Sequence, residues 1–210
     1  MIKNQAVFNL VTGREIGTEE DLHEMEEAIA QQMNTTTRTR SMAATWGSDT
    51  ISGTVPNYSY NAGDTCGSTA AAMWLKWYDN NVDGRYVPDS LSTANGQALC
   101  KHLIPYIDDN WYYGSNPIDV VSGIYDYLKT QGITYWATTE LASISMLHSR
   151  VTVFNRPYIL LLSKEPKYGN HWVTGYGYND LTSGSFAIVN DGWGLRNVSI
   201  NLNYASQMVY

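Results

Sequence analysis

Residues 64–78 read Asp64-Thr65-Cys66-Gly67-Ser68-Thr69-Ala70-Ala71-Ala72-Met73-Trp74-Leu75-Lys76-Trp77-Tyr78. A turn-forming stretch leads into small residues and then an apolar helical face, so Cys66 stands in the first turn of a helix. The unpaired N–H groups and the helix dipole at such a position favour thiolate over thiol. A second stretch answers the first: Gly169-Asn170-His171-Trp172-Val173-Thr174-Gly175-Tyr176-Gly177-Tyr178, then Ser185-Phe186-Ala187-Ile188-Val189-Asn190-Asp191-Gly192-Trp193-Gly194. Nucleophile, base and orienting side chain follow in the order Cys, His, Asn/Asp. Taken singly, a cysteine is most often a small buried hydrophobe and a histidine a satisfied structural residue. Three independent placements that one reaction requires weigh differently.

The orienting residue can be sought on paper. Residues 171–178 read as a strand, 179–184 as a turn and 185–190 as the returning strand. With the hairpin centred on Leu181, His171 lies opposite Asp191, about 5 Å away at Cβ. A slip of one residue pairs it with Asn190 instead. Asp191 continues the alternation Ala187, Val189, Asp191 on one face and is preferred, with Asn190 as the alternative.

These motifs resemble the papain-like cysteine peptidases. The resemblance spans about residues 55–205 and is specific at the two motifs. It is strongest to bacterial branches similar to the double-glycine leader peptidases and extends more distantly to streptopain. It implies Cys66 as nucleophile, His171 as general base and Asp191 or Asn190 as third member. The pair is expected to rest as an imidazolium–thiolate. The family commonly places a Gln about six residues before the nucleophile as an oxyanion donor. Here Tyr60 and Asn61 occupy the sixth and fifth positions back, and no Gln is present in that loop. Asn61, or Tyr60, is the candidate oxyanion donor. Trp172 and Trp193 flank the dyad and are candidates for the cleft wall. The implied substrate is a polypeptide, and the chemistry needs no metal or organic cofactor. An amidase or transamidase on the same scaffold, or a catalytically silent binding domain, are the alternatives.

Composition bounds the rest. A chain of 210 residues can bury a full core. A net charge of −7 without a Lys/Arg cluster argues against a nucleic-acid partner or an anionic membrane surface. The longest apolar run, Tyr158-Ile159-Leu160-Leu161-Leu162, is too short to span a membrane and reads as a central strand. Only 16% of residues are charged, while Tyr, Trp, Asn, Ser and Thr abound. That balance suggests an extracellular or cell-surface bacterial protein. The N-terminus carries no hydrophobic signal core, which leaves the cytoplasm as the alternative. Cys100 falls in an apolar helical pattern, so a Cys66–Cys100 disulfide is not expected.

Along the chain, helices precede strands: residues 66–78, 94–106, 117–131 and 140–154 read as helices, and 158–163, 171–178, 185–190 and 197–203 as strands. That order implies an α+β domain with the site between the nucleophile helix and an antiparallel sheet. Residues 1–45 differ. A strand over residues 7–11 precedes a capped acidic helix with Leu22, Met25, Ile29 and Met33 on one stripe, then a polar linker holding Arg38 and Arg40. This segment reads as an N-terminal arm or pro-segment, ahead of a catalytic domain over residues 46–210. Asp79-Asn80-Asn81-Val82-Asp83-Gly84 mimics half a calcium loop, but Ser90 stands where the bidentate Glu belongs. No metal site is expected. Gly175-Tyr176-Gly177 lies inside a strand and is no nucleotide loop. His23, His102 and His148 read as structural.

Overall fold

The computed structural model describes residues 45–60, 63–108, 114–135 and 137–210, together with the backbone of residues 6–9 and 14–18. The chain divides into two units, residues 1–44 and 45–210. In the first, strands β1 (Ala6–Asn9) and β2 (Arg14–Thr18) pair antiparallel. The arm helix expected after them lies outside the described residues.

The second unit is built on helix α1, Cys66–Asn81. Its first half is small and apolar, so it can be enclosed on every side, and all nine residues from Gly67 to Leu75 are buried. Helices α2 (Gln97–Ile107) and α3 (Pro117–Thr130) pack beside it. The start of α3 is set locally. Asn116 accepts from the Ile118 and Asp119 amides, Asp119 returns the bond to the Asn116 N–H, and Pro117 occupies the first helical position.

Against the helices lies one antiparallel sheet. Strand β3 (Gly47–Thr50) precedes α1 in the chain. The others are β4 (Thr139–Leu141), β5 (Tyr158–Glu165), β6 (Gly169–Leu181), β7 (Gly184–Asn190), β8 (Val198–Asn201) and β9 (Ala205–Val209). Their order is β4-β9-β5-β6-β7-β8, with β3 also on β6. The helices-then-sheet, α+β architecture expected from the sequence is therefore found. Two readings need correction. The segment read as one helix over residues 140–154 is strand β4, a short helix α4 (Ile144–His148) and a wide helical turn, Ser149–Val153. Strands β3 and β9 were not foreseen. β3 pairs with β6 and β9 lies between β4 and β5, partners distant in sequence, and their own residues carry little alternation.

Strand β6 organises the sheet. Its N-terminal part pairs with β5, its C-terminal part with β3 on that same side, and β7 lines the other side from Leu181 back to Thr174. The β6–β7 turn is only Thr182-Ser183, between Leu181 and Gly184, shorter than the six-residue turn expected. The register also shifts between Gly175 and Gly177. A side chain on Gly175 would come within 2.0 Å of the Tyr158 ring, whose hydroxyl donates to the Gly177 carbonyl at 2.7 Å. The two glycines thus serve a close packing approach at a strand irregularity.

Candidate active site

Helix α1 crosses β6 with its N-terminus toward the strand's beginning. Thr174 Oγ1 donates to the Ala70 carbonyl at 2.8 Å, and the Trp172 indole N–H donates to the Ser115 carbonyl at 2.9 Å. Cys66 opens the helix and is half-buried. The main chain of Trp172, Cys66 and Gly67 favours its thiolate form, so the thiol lies by the strand one residue from His171.

The cap of α1 comes from far along the chain. No side chain of its own first turn caps it. Instead Asp108, buried just past the end of α2, accepts the Ser68 amide at 2.7 Å, which satisfies an orphan donor. Gly67 makes room for this arrangement: a Cβ there would stand 2.0 Å from Ser115 Oγ and 3.0 Å from Asp108 Oδ1. Sequence reasoning missed Asp108. Its only trace is a carboxylate directly after the apolar run that ends α2.

His171 is 3% exposed. Its Nε2 lies 2.7 Å from the main-chain carbonyl of Asp191. A carbonyl only accepts, so Nε2 carries the proton and Nδ1 is left as the basic nitrogen. This corrects the expected route of orientation. The β6–β7 ladder ends at Thr174–Asn190, three residues short of His171, so Asp191 does not face His171 as a cross-strand pair. It reaches the ring from the turn that follows. The Asp191 carboxylate is fully buried and shapes that turn. Oδ1 accepts from the Trp193 and Leu195 amides at 2.8 and 2.9 Å, and Oδ2 accepts from the Tyr168 hydroxyl at 3.1 Å. Asn190 points elsewhere, its Nδ2 donating to the Val55 and Pro56 carbonyls at 3.2 and 2.9 Å.

Of the two tryptophans, only Trp193 borders the site. It is 45% exposed, with its ring 4.7 Å from that of His171. Trp172, at 2% exposure, packs as core and offers no surface to a cleft. Tyr60 is tied to α1 through its carbonyl, which accepts from Thr69 Oγ1, and its ring lies 5.6 Å from Lys101 Nζ. Asn61 lies outside the described residues.

Burial acts on both groups of the expected pair. Burial pushes the Cys66 thiol up to about 11; the Asp108 charge adds to this, against the main chain of Trp172, Cys66 and Gly67. Burial lowers His171, against its bond to the Asp191 carbonyl and the nearby Asp191 charge. Each shift favours the neutral form of its own group.

The lesser candidates are absorbed into local structure. Asp79 accepts from Lys76 Nζ at 2.6 Å and from the Val87 amide at 3.0 Å, and Asp83 pairs with Arg85 at 2.6 Å. Among the described residues no group of three His, Cys, Asp or Glu is placed to hold a metal. His148 packs on Trp46, and His102 on Tyr106 and Tyr127. His23 is outside the described residues. Cys66 and Cys100 are both free, the latter buried in α2. No described helix is long and apolar enough to cross a membrane.

Comparison with known proteins follows this geometry. The sequence family described as "Peptidase_C39 like family" matches residues 53–209, which include the nucleophile helix and the whole of β6 and β7. Comparison with curated proteins gives no match. Among solved structures, the crystal structure of the Pseudomonas avirulence protein AvrPphB is similar with a TM-score of 0.35 and 12% identity, over 75% of this chain and 95% of that one.

Proposed function

We propose, for a chain that belongs to the Peptidase C39-like family, that it hydrolyses peptide bonds of an extended polypeptide with Cys66 as nucleophile and His171 as base. One observation carries the reading. A helix-start thiol, on a helix bonded to β6, faces the strand bearing an imidazole whose Nε2–H is held by a carbonyl. With Nε2 so committed, Nδ1 is the nitrogen that takes a proton.

Since burial favours the neutral pair, the thiol proton passes to His171 Nδ1 as sulfur attacks the scissile carbonyl carbon, rather than before substrate arrives. The S–C bond forms and the carbonyl oxygen gains charge. The Cys66 N–H, at the positive end of α1, is the proposed main-chain donor to that oxyanion, and Asn61 the proposed side-chain donor. Collapse breaks the C–N bond, with the leaving amine taking the proton from His171. Water, activated by the same imidazole, then attacks the thioester and frees Cys66.

The test combines mapping and turnover. One equivalent of iodoacetamide should modify Cys66 ahead of Cys100, and Cys66→Ser should abolish cleavage of a mixed peptide library. Preferential labelling of Cys100, or a folded wild type that cuts no peptide, would refute the proposal.

A further inference from the structure

The β5–β6 turn, residues 165–169, holds a side chain that the reaction as described does not use. Tyr168 is 7% exposed although it sits in a turn. Its place is fixed locally, because Glu165 Oε2 accepts both the Lys167 and the Tyr168 amides, at 2.7 and 2.8 Å. Its ring lies parallel to that of His171, within 11° and at 5.5 Å between centroids, and 5.0 Å from Trp193. With the His171–Trp193 contact these rings form a closed triangle. The Tyr168 hydroxyl is engaged twice: it accepts from Lys167 Nζ at 2.7 Å and donates to Asp191 Oδ2 at 3.1 Å.

We propose that Tyr168 is a positioning residue for His171, pressing its ring on the imidazole while its hydroxyl, backed by Lys167, grips the Asp191 carboxylate and so holds the turn whose carbonyl fixes Nε2. The clamp closes on the base from two sides at once. The ring restrains rotation of the imidazole by contact, and the hydroxyl secures the acceptor that selects its tautomer. Lys167 Nζ itself stays 4.0 Å from Asp191 Oδ2, so the tyrosine hydroxyl is the nearer link between the exposed ammonium and the buried carboxylate. The charged and titratable groups against His171 are Asp191 and Tyr168, with Lys167 behind the tyrosine hydroxyl. Of these, Tyr168 alone touches both the ring and its anchor.

The inference rests on the reading of His171 as base, and the test separates the two. Full-length protein labelled with 15N-histidine is compared with Tyr168→Phe, Tyr168→Leu and Lys167→Met. In the wild type the His171 nitrogens should report one tautomer, protonated at Nε2. Tyr168→Phe keeps the ring and loses the hydroxyl, and it should slow turnover about tenfold with KM unchanged, the effect of one bond to a charged group. Tyr168→Leu should slow it about a hundredfold and show mixed tautomers, with Lys167→Met milder than either. Wild-type turnover and an unmoved imidazole spectrum in folded Tyr168→Phe would overturn the proposal, even if its melting temperature falls. Should Tyr168→Leu not fold, the Phe and Lys167 variants still decide. A wild type without peptidase activity would refute the peptidase reading alone, because the imidazole spectra report the clamp directly.

Discussion

Replacing Asp191 by Asn should do far less harm than a triad carboxylate normally would. The carboxylate accepts three hydrogen bonds in complete burial, two at Oδ1 from the Trp193 and Leu195 amides and one at Oδ2 from Tyr168. Asn keeps an oxygen for the two amides and so keeps the turn. What it loses is the charge-assisted bond from Tyr168, about 1.5–3 kcal/mol of stability. The main-chain carbonyl at 2.7 Å from His171 Nε2 is untouched by the substitution. Turnover should therefore fall no more than about tenfold. Asp191→Ala removes all three hydrogen bonds. Trp193 and Leu195 are 45% and 50% exposed, so water can replace part of what their amides lose, and the total penalty is on the order of 3–5 kcal/mol. The carbonyl then drifts from the ring, and turnover should fall about a hundredfold or more. Kinetics on a fluorogenic peptide, with melting curves for each variant, measure both quantities. A roughly ten-thousand-fold loss in Asp191→Asn at unchanged melting temperature would mean that the carboxylate itself orients the imidazole, as in triads where the same change has that effect, and the carbonyl-mediated reading would be wrong.

Three further outcomes are expected. Gly67→Ala should lower stability by about 1–3 kcal/mol and slow Cys66 labelling, because the new methyl group overlaps Ser115 Oγ and crowds Asp108; a variant with wild-type melting and labelling would refute this account of the helix start. The rate of Cys66 alkylation should be low at neutral pH and climb toward about 11, since a raised thiol pKa leaves the sulfur protonated until then. Asp108→Asn keeps an acceptor for the Ser68 amide and removes a charge that opposes the thiolate, so the climb should move to lower pH; an unshifted or higher-pH profile contradicts the assignment. Finally, residues 1–45 are proposed to be a detachable arm. Limited proteolysis within residues 35–41 should leave a folded remainder with equal or greater peptidase activity, and loss of folding would show the arm to be structural.

Much of this protein was readable before its fold. A thiol at a helix start needs only local sequence, and residues 64–78 carry the turn, the small residues and the apolar face together. The apolar run from Tyr158 and the strand opening at His171 were equally local, because period and turn chemistry act over a few residues. The short strands β4 and β9, by contrast, exist through pairing, β4 with β9 and β9 also with β5, which their own residues do not specify. The active site divides along the same line. Cys66, His171 and either Asp191 or Asn190 were candidates from sequence, but which of the two contacts His171, and how, depends on where the β6–β7 ladder stops and how the chain turns after it. A two-residue turn and a register shift at Gly175–Gly177 moved that endpoint, and with them the contact passed from a side chain to a carbonyl. Asp108 at the start of α1 and Tyr168 against the imidazole are contacts that only the packed chain creates. The half-buried thiol and the buried imidazole are shifted toward their neutral forms for the same reason: desolvation depends on what surrounds a group in space, and sequence neighbours do not set it.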